Sequence, residues 1–148
     1  MKTLDEFVEI FELFDDWDQR YAFIIDIGEE LPMMPEVLKT HANKVHGCMS
    51  DVWVSAYILP NTIDKIAFHA DCDTSVIKGV LALLVQLCKG KTSTEFQQID
   101  MDEIFTRLKL DDHLSPNRHV GVYAIFELMK QQIAAIESAQ PQLNHASG

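Results

Sequence analysis

Leu4, Phe7, Val8, Phe11 and Phe14 recur at three- and four-residue intervals, which predicts an amphipathic helix over residues 4–14. Thr3 and Glu6 have the spacing of a capping box, in which a hydroxyl and a carboxylate each satisfy an N–H left without a partner at the helix start. Asp16 followed by Gln19 predicts a second start, and Trp17, Tyr21, Ile24 and Ile25 form its apolar stripe as far as Gly28. Leu31-Pro32-Met33-Met34-Pro35 ends it, because two prolines within four residues cannot continue a helix. The period then changes. Residues 51–59 alternate and are rich in β-branched and aromatic side chains (Val52, Trp53, Val54, Tyr57, Ile58), which predicts a strand. Pro60-Asn61-Thr62 reads as a turn. Residues 63–70 return, with Ile66, Phe68 and Ala70 on one face, and residues 44–46 offer a short third strand.

Helical spacing resumes with Val76, Ile77, Val80, Leu81, Leu84 and Leu87, capped by Asp73 or Thr74 and ended by Gly90. This is the expected central core helix. Ile104, Phe105 and Leu108 mark a shorter one. Ser115-Pro116 is an N-cap followed by proline at the first helical position. The last helix runs to residue 136 and buries Val122, Ile125, Phe126, Met129 and Ile133. Residues 1–138 read as a single domain and residues 139–148 as a disordered tail. The class is α+β, a small antiparallel sheet of about three strands packed against several helices.

Composition narrows the function. In 148 residues, 12 Lys and Arg face 23 Asp and Glu, a net charge of −11. That balance argues against nucleic acid or an anionic membrane as the main partner. The acidic opening Met1–Glu6 does not resemble a secretory signal, and the apolar run Val80–Val85 is too short to span a bilayer. The expectation is a cytoplasmic, reduced protein. Three cysteines cannot all pair with one another.

Val45-His46-Gly47-Cys48-Met49-Ser50 is the first candidate for chemistry. A cysteine at a loop tip can be approached by another molecule, Gly47 permits a turn that a side chain would forbid, and His46 and Ser50 could bias the thiol toward thiolate. Cys72 lies between Asp71 and Asp73, whose charges oppose thiolate formation, and Asp73 is better placed to cap the next helix. Cys88, four residues after Leu84, reads as core packing. His41, His46, Cys48 and Asp51 are possible metal ligands, but their spacing matches no common zinc pattern. His69, His113 and His119 read as surface residues. Arg118 lies in the first turn of the last helix, where a cation works against the dipole and could serve to hold an anion or a partner carboxylate. No GxSxG, HExxH, P-loop or GxGxxG occurs.

These blocks resemble the SufE family and its CsdE branch. The resemblance rests on Phe14-Asp15-Asp16-Trp17-Asp18-Gln19-Arg20-Tyr21, Gly28-Glu29-Glu30-Leu31-Pro32, Val45 to Trp53, Ala70-Asp71-Cys72-Asp73 with Ile77-Lys78-Gly79, and Leu114-Ser115-Pro116-Asn117-Arg118 with Gly121. It implies a fold similar to the IscU-type scaffold and a sulfur acceptor that activates a cysteine desulfurase. Cys48 would take persulfide sulfur and relay it to an iron–sulfur cluster assembly scaffold. His46, Gly47, Ser50, Asp71, Asp73 and Arg118 would support the loop or dock the partner. The implied partner is a SufS- or CsdA-like desulfurase, which carries pyridoxal phosphate, while this chain has no cofactor or metal of its own. The implied activity is transpersulfidation by an accessory protein rather than a stand-alone enzyme. Val45, Met49 and Trp53 are apolar enough to line a pocket sheltering the persulfide. The alternative is an IscU-like iron–sulfur or zinc scaffold using Cys48 and Cys72.

Overall fold

The structure is a computed structural model and describes residues 2–139. The tail read over residues 139–148 thus lies, apart from Ala139, outside the described residues. α1 (Leu4–Leu13) begins with the Thr3–Glu6 capping box, both halves formed. α2 (Trp17–Glu29) begins at Asp16, whose carboxylate accepts from the Gln19 N–H at 2.9 Å. Arg20 Nε donates at 2.9 Å to the Phe11 carbonyl, which also accepts from the Phe14 N–H at the end of α1, and this ties the start of α2 to the turn between the helices.

β1 (Val52–Ile58) and β2 (Ile66–Cys72) form an antiparallel pair in register from Val52↔Cys72 to Ile58↔Ile66. The returning strand begins three residues later than its sequence pattern suggests, and Ile63 is left exposed in the connection. The third strand is reduced to one bridge, Lys44↔Trp53, closed by Val45 N–H to Val52 O at 2.8 Å and Val54 N–H to Asn43 O at 2.9 Å. It extends no further because Gly47, at φ +91°, turns the chain out of the sheet direction.

α3 (Ser75–Cys88) packs under β2 and across α2. The crossing is close because glycines meet there: a Cβ on Gly79 would come 2.1 Å from the Ile24 carbonyl oxygen, and one on Gly28 would come 2.8 Å from Gly79 N. Val52, Val54, Leu81, Leu84, Ile125 and Met129 are all fully buried in one core between the strand pair and the helices. Two short helices, α4 (Ser93–Gln97) and α6 (Leu110–His113), flank α5 (Met101–Arg107). α7 (Pro116–Ser138) starts at Ser115, whose hydroxyl accepts from Arg118 N–H, and lies against β1. Its Gln132 accepts from Ala56 N–H at 2.9 Å and donates to the Val54 carbonyl at 2.8 Å, covering the outer edge of β1.

The three histidines read as surface residues are instead half-buried by ring stacking. His69 stacks on Tyr57, His113 on Trp17 and His119 on Tyr123, with ring centroids 4.4, 3.8 and 5.0 Å apart. Among the described residues, no helix is long and apolar enough to cross a membrane.

Candidate functional site: the Cys48 loop

The positive φ of Gly47 turns the loop inward, and this brings the half-buried Cys48 thiol against α7. The contact is made at Gly121: a Cβ there would lie 2.8 Å from Cys48 Sγ, so only glycine leaves room for the thiol at this depth. A cavity of about 230 Å³ opens beside it, lined by Cys48, Met49, Ser50, Ile77 and the α7 start (Ser115, Asn117, Arg118). Loop and helix start, far apart in sequence, thus form one recess with a cationic side chain on its wall. Of the pocket residues expected, only Met49 takes part, and it is 85% exposed at the mouth. Val45 is buried in the core, while Trp53 lies on the other face of the sheet under the Lys39 and Lys44 ammonium groups at 5.3 and 5.8 Å.

The loop is anchored on its C-terminal side. Ser50 Oγ and Thr74 Oγ1 are 2.6 Å apart, Asp51 N–H donates to Asp73 Oδ1 at 3.0 Å, and Asp73 N–H donates to Asp51 O at 3.2 Å. Asp73 therefore does not cap α3. Thr74 occupies the cap position without a side-chain bond to the helix, because its hydroxyl is engaged by Ser50 and Asp73. Ser50 serves as an anchor. His46 is turned away from the cavity, exposed and packed on His41 at 4.8 Å.

Asp71 lies on the sheet face beside Trp53, where Lys39 reaches it at 2.8 Å and Lys78 at 3.5 Å. Partial burial works to raise its carboxyl, but the Lys39 ammonium, the Cys72 N–H and Lys78 outweigh that and hold it below the usual carboxylate range. Lys39 is raised in turn, by Asp71 first and then Glu36. This network braces β2 and the segment before the loop without touching the thiol.

The other two cysteines differ from Cys48. Cys72 is buried, and Thr74 N–H donates to its sulfur at 3.4 Å. Its thiol is pushed up to about 11, by burial first; the Thr74 N–H partly offsets this, and negative charge on Asp73, Cys48 and Asp71 adds to it. The flanking carboxylates thus act as expected but are not the leading cause. Cys88 is fully buried and pushed up to about 12 by that burial. Among the described residues no group of three or more His, Cys, Asp or Glu side chains could hold a metal ion, and His41, His46, Cys48 and Asp51 do not converge.

Gly121 is the site residue to which sequence spacing assigned no task. Its position three residues after Arg118, on a neighbouring stripe of the same helix, was the available signal.

Known proteins give a consistent match. The SufE family model, described as an Fe-S metabolism associated domain, matches residues 5–133. An uncharacterized SufE-like protein of Rhizobium meliloti is 33% identical over 133 residues, covering 89% of this chain and 95% of its own. The cysteine desulfuration protein SufE of Wigglesworthia glossinidia brevipalpis is 28% identical over 125 residues, covering 84% and 85%. The solution structure of a hypothetical protein from Thermus thermophilus superposes with a TM-score of 0.74 at 16% identity, covering 91% of this chain and 96% of that one. With the family model matched over most of its length, and the blocks around Cys48 and Arg118 folded into one recess, this chain belongs to the SufE family.

Proposed function

We propose that this protein accepts sulfane sulfur from a cysteine desulfurase onto Cys48, stimulates that enzyme by clearing its persulfide, and passes the sulfur to an iron–sulfur cluster assembly scaffold. One observation carries the reading. Of the three cysteines, Cys48 alone is on a loop that opens to a cavity, while Cys72 and Cys88 are buried with raised thiols. The family membership and the desulfuration role named for the Wigglesworthia relative support it.

The step is thiol exchange. Cys48 thiolate attacks the outer sulfur of the desulfurase persulfide, one S–S bond forms as another breaks, and the desulfurase cysteine leaves as thiolate. No electron is gained or lost overall, and pyridoxal phosphate belongs to the desulfurase. Arg118 on the cavity wall and the α7 start favour negative charge on the terminal sulfur. Gly47 is the pivot that lets the loop leave Gly121 for the partner, and Ser50, Asp51 and Asp73 hold its far end. A scaffold holding zinc or a cluster on Cys48 and Cys72 needs further ligands, and among the described residues none converge with them.

Incubation with a pyridoxal-phosphate desulfurase and L-cysteine adds about 32 Da, one sulfur, at Cys48. If Cys48→Ser takes up sulfur and stimulates the desulfurase as well as the parent does, the proposal fails.

A further inference from the structure

The opening of α2, from Asp16 to Tyr21, takes no part in the Cys48 cavity, yet two of its aromatic side chains are engaged far along the chain. Trp17 and Tyr21 are four residues apart, which places them on one face of the helix, and their rings lie 5.4 Å apart. Trp17 is held by the edge of Phe11 at 6.2 Å and by the Arg20 guanidinium, 5.3 Å from the ring centroid. Both side chains close on His113. Its imidazole stacks on Trp17, with centroids 3.8 Å apart and planes 20° apart, and its carbonyl accepts from the Tyr21 hydroxyl. One residue is thus gripped through side chain and backbone at once.

What His113 carries is the start of α7. It ends α6, whose four residues are too few to hold a helix by themselves. Leu114 follows, buried, and Ser115 caps α7. Ser115, Pro116, Asn117 and Arg118 are all exposed, so the first turn has little packing of its own. Ser115, Asn117 and Arg118 nevertheless form one wall of the Cys48 cavity. His119 and Tyr123 pack on Phe105 and fix the helix beyond that turn. The turn itself is left to the residues just before it. We propose that Trp17 and Tyr21 are positioning residues for the Cys48 cavity: by holding His113 they set where α7 begins, and with it where Arg118 stands beside the thiol. Neither residue lines the cavity, so they act through the chain. The inference rests on the sulfur-transfer reading for its part in the reaction, while the positioning itself can be measured without a desulfurase.

The test alkylates Cys48 of the full chain in parallel with iodoacetamide, which is neutral, and iodoacetate, which is an anion, and reads both rates by peptide mapping. Their ratio cancels access and thiolate fraction, which the two reagents share, and reports the charge beside the thiol. Arg118→Gln should lower the iodoacetate-to-iodoacetamide ratio about two- to fivefold at low salt, the size of one exposed ion pair. Tyr21→Phe removes only the hydroxyl, and His113→Ala removes the stacked ring but keeps the backbone carbonyl. Each should lower the ratio about twofold. With Arg118→Gln already present neither should lower it further, because residues acting through one another are not additive. Circular dichroism checks that each variant folds, and either one alone decides the test. An unchanged ratio in a folded variant overturns the proposal, as does an equal fall with and without Arg118, or no response to Arg118→Gln itself. With a desulfurase and L-cysteine, Tyr21→Phe should slow the gain of one sulfur at Cys48 several-fold. An unslowed gain beside a lowered ratio also overturns the proposal, since the position would then not serve transfer. If the parent gains no sulfur, the sulfur-transfer reading fails, and the alkylation ratios still decide the positioning.

Discussion

Cys48 and Cys72 stand on either side of one hydrogen-bonded junction. Ser50, two residues after Cys48, meets Thr74, two residues after Cys72, and the Thr74 N–H in turn meets the Cys72 sulfur. Cys48 lies on a loop beside a cavity with Arg118 on its wall. Cys72 ends a strand, buried between two carboxylates. Though far apart in sequence, a thiol beside an open cavity and one held protonated are therefore separated in space by one hydrogen bond and two residues on each side of it. What separates them is the backbone path: Gly47 and Gly121 admit one sulfur to a recess that opens outward, and the strand carries the other into the core.

The largest expected effect is on transfer itself. Cys48→Ser abolishes the gain of one sulfur in intact-mass measurements with a desulfurase and L-cysteine, whereas Cys72→Ser retains it. Full retention by the first, or loss by the second, would reverse the comparison. Next comes intrinsic reactivity. At pH 8 a thiol at about 11 is thiolate in roughly one molecule in a thousand, so iodoacetamide should modify Cys48 at least about a hundredfold faster than Cys72 in the folded protein. Peptide mapping of alkylated sites over time reads the ratio.

A smaller effect follows at the glycine under the thiol. Gly121→Ala places a Cβ 2.8 Å from Cys48 Sγ, and a loop pivoting at Gly47 can yield. Alkylation of Cys48 should quicken several-fold while that of Cys72 stays unchanged. An unchanged or slower Cys48 rate would mean that Gly121 does not set the depth of the thiol. The smallest effect concerns stability in alkali. The Cys72 thiol is raised in the fold from an ordinary 9.0 to about 11, so the unfolded chain loses its proton first. Its contribution is whole below about pH 9 and is lost as pH rises through about 11, at most about 3 kcal/mol. Urea midpoints compared at pH 8 and pH 10 should fall less for Cys72→Ser than for the parent.

Much of this arrangement was legible in residue order, where the signal is local. The Thr3–Glu6 box, the Asp16 cap and Ser115-Pro116 each state a helix start through side-chain chemistry within one turn. Thr92 and Glu95 state another just as clearly, and α4 follows them; its five residues are too few to show an apolar period. α6 begins after Lys109 in the left-handed region at φ 58°, a conformation that a lysine does not advertise. Asp73 had the right type and place for a cap, but a strand-to-loop contact claimed its carboxylate. That competition involves Asp51, 22 residues earlier, and no local pattern holds it. The cavity is the extreme case. Cys48 and Arg118 are separated by most of the core, and only packing makes them neighbours.

The crossing of α2 and α3 has a consequence for reading any variant of this protein. The stretch from Gly28 to Gly79 contains both strands, the Lys39–Asp71 network and Cys48, so the glycine contact is the clasp on a loop of about 50 residues. A methyl group at Gly79 would meet the Ile24 carbonyl at 2.1 Å, a backbone atom that cannot swing aside as the Cys48 loop can. Opening the clasp removes the frame of reference for everything it encloses, so activity lost at Gly28 or Gly79 measures the frame, and activity lost at Gly121 measures the depth of a single sulfur.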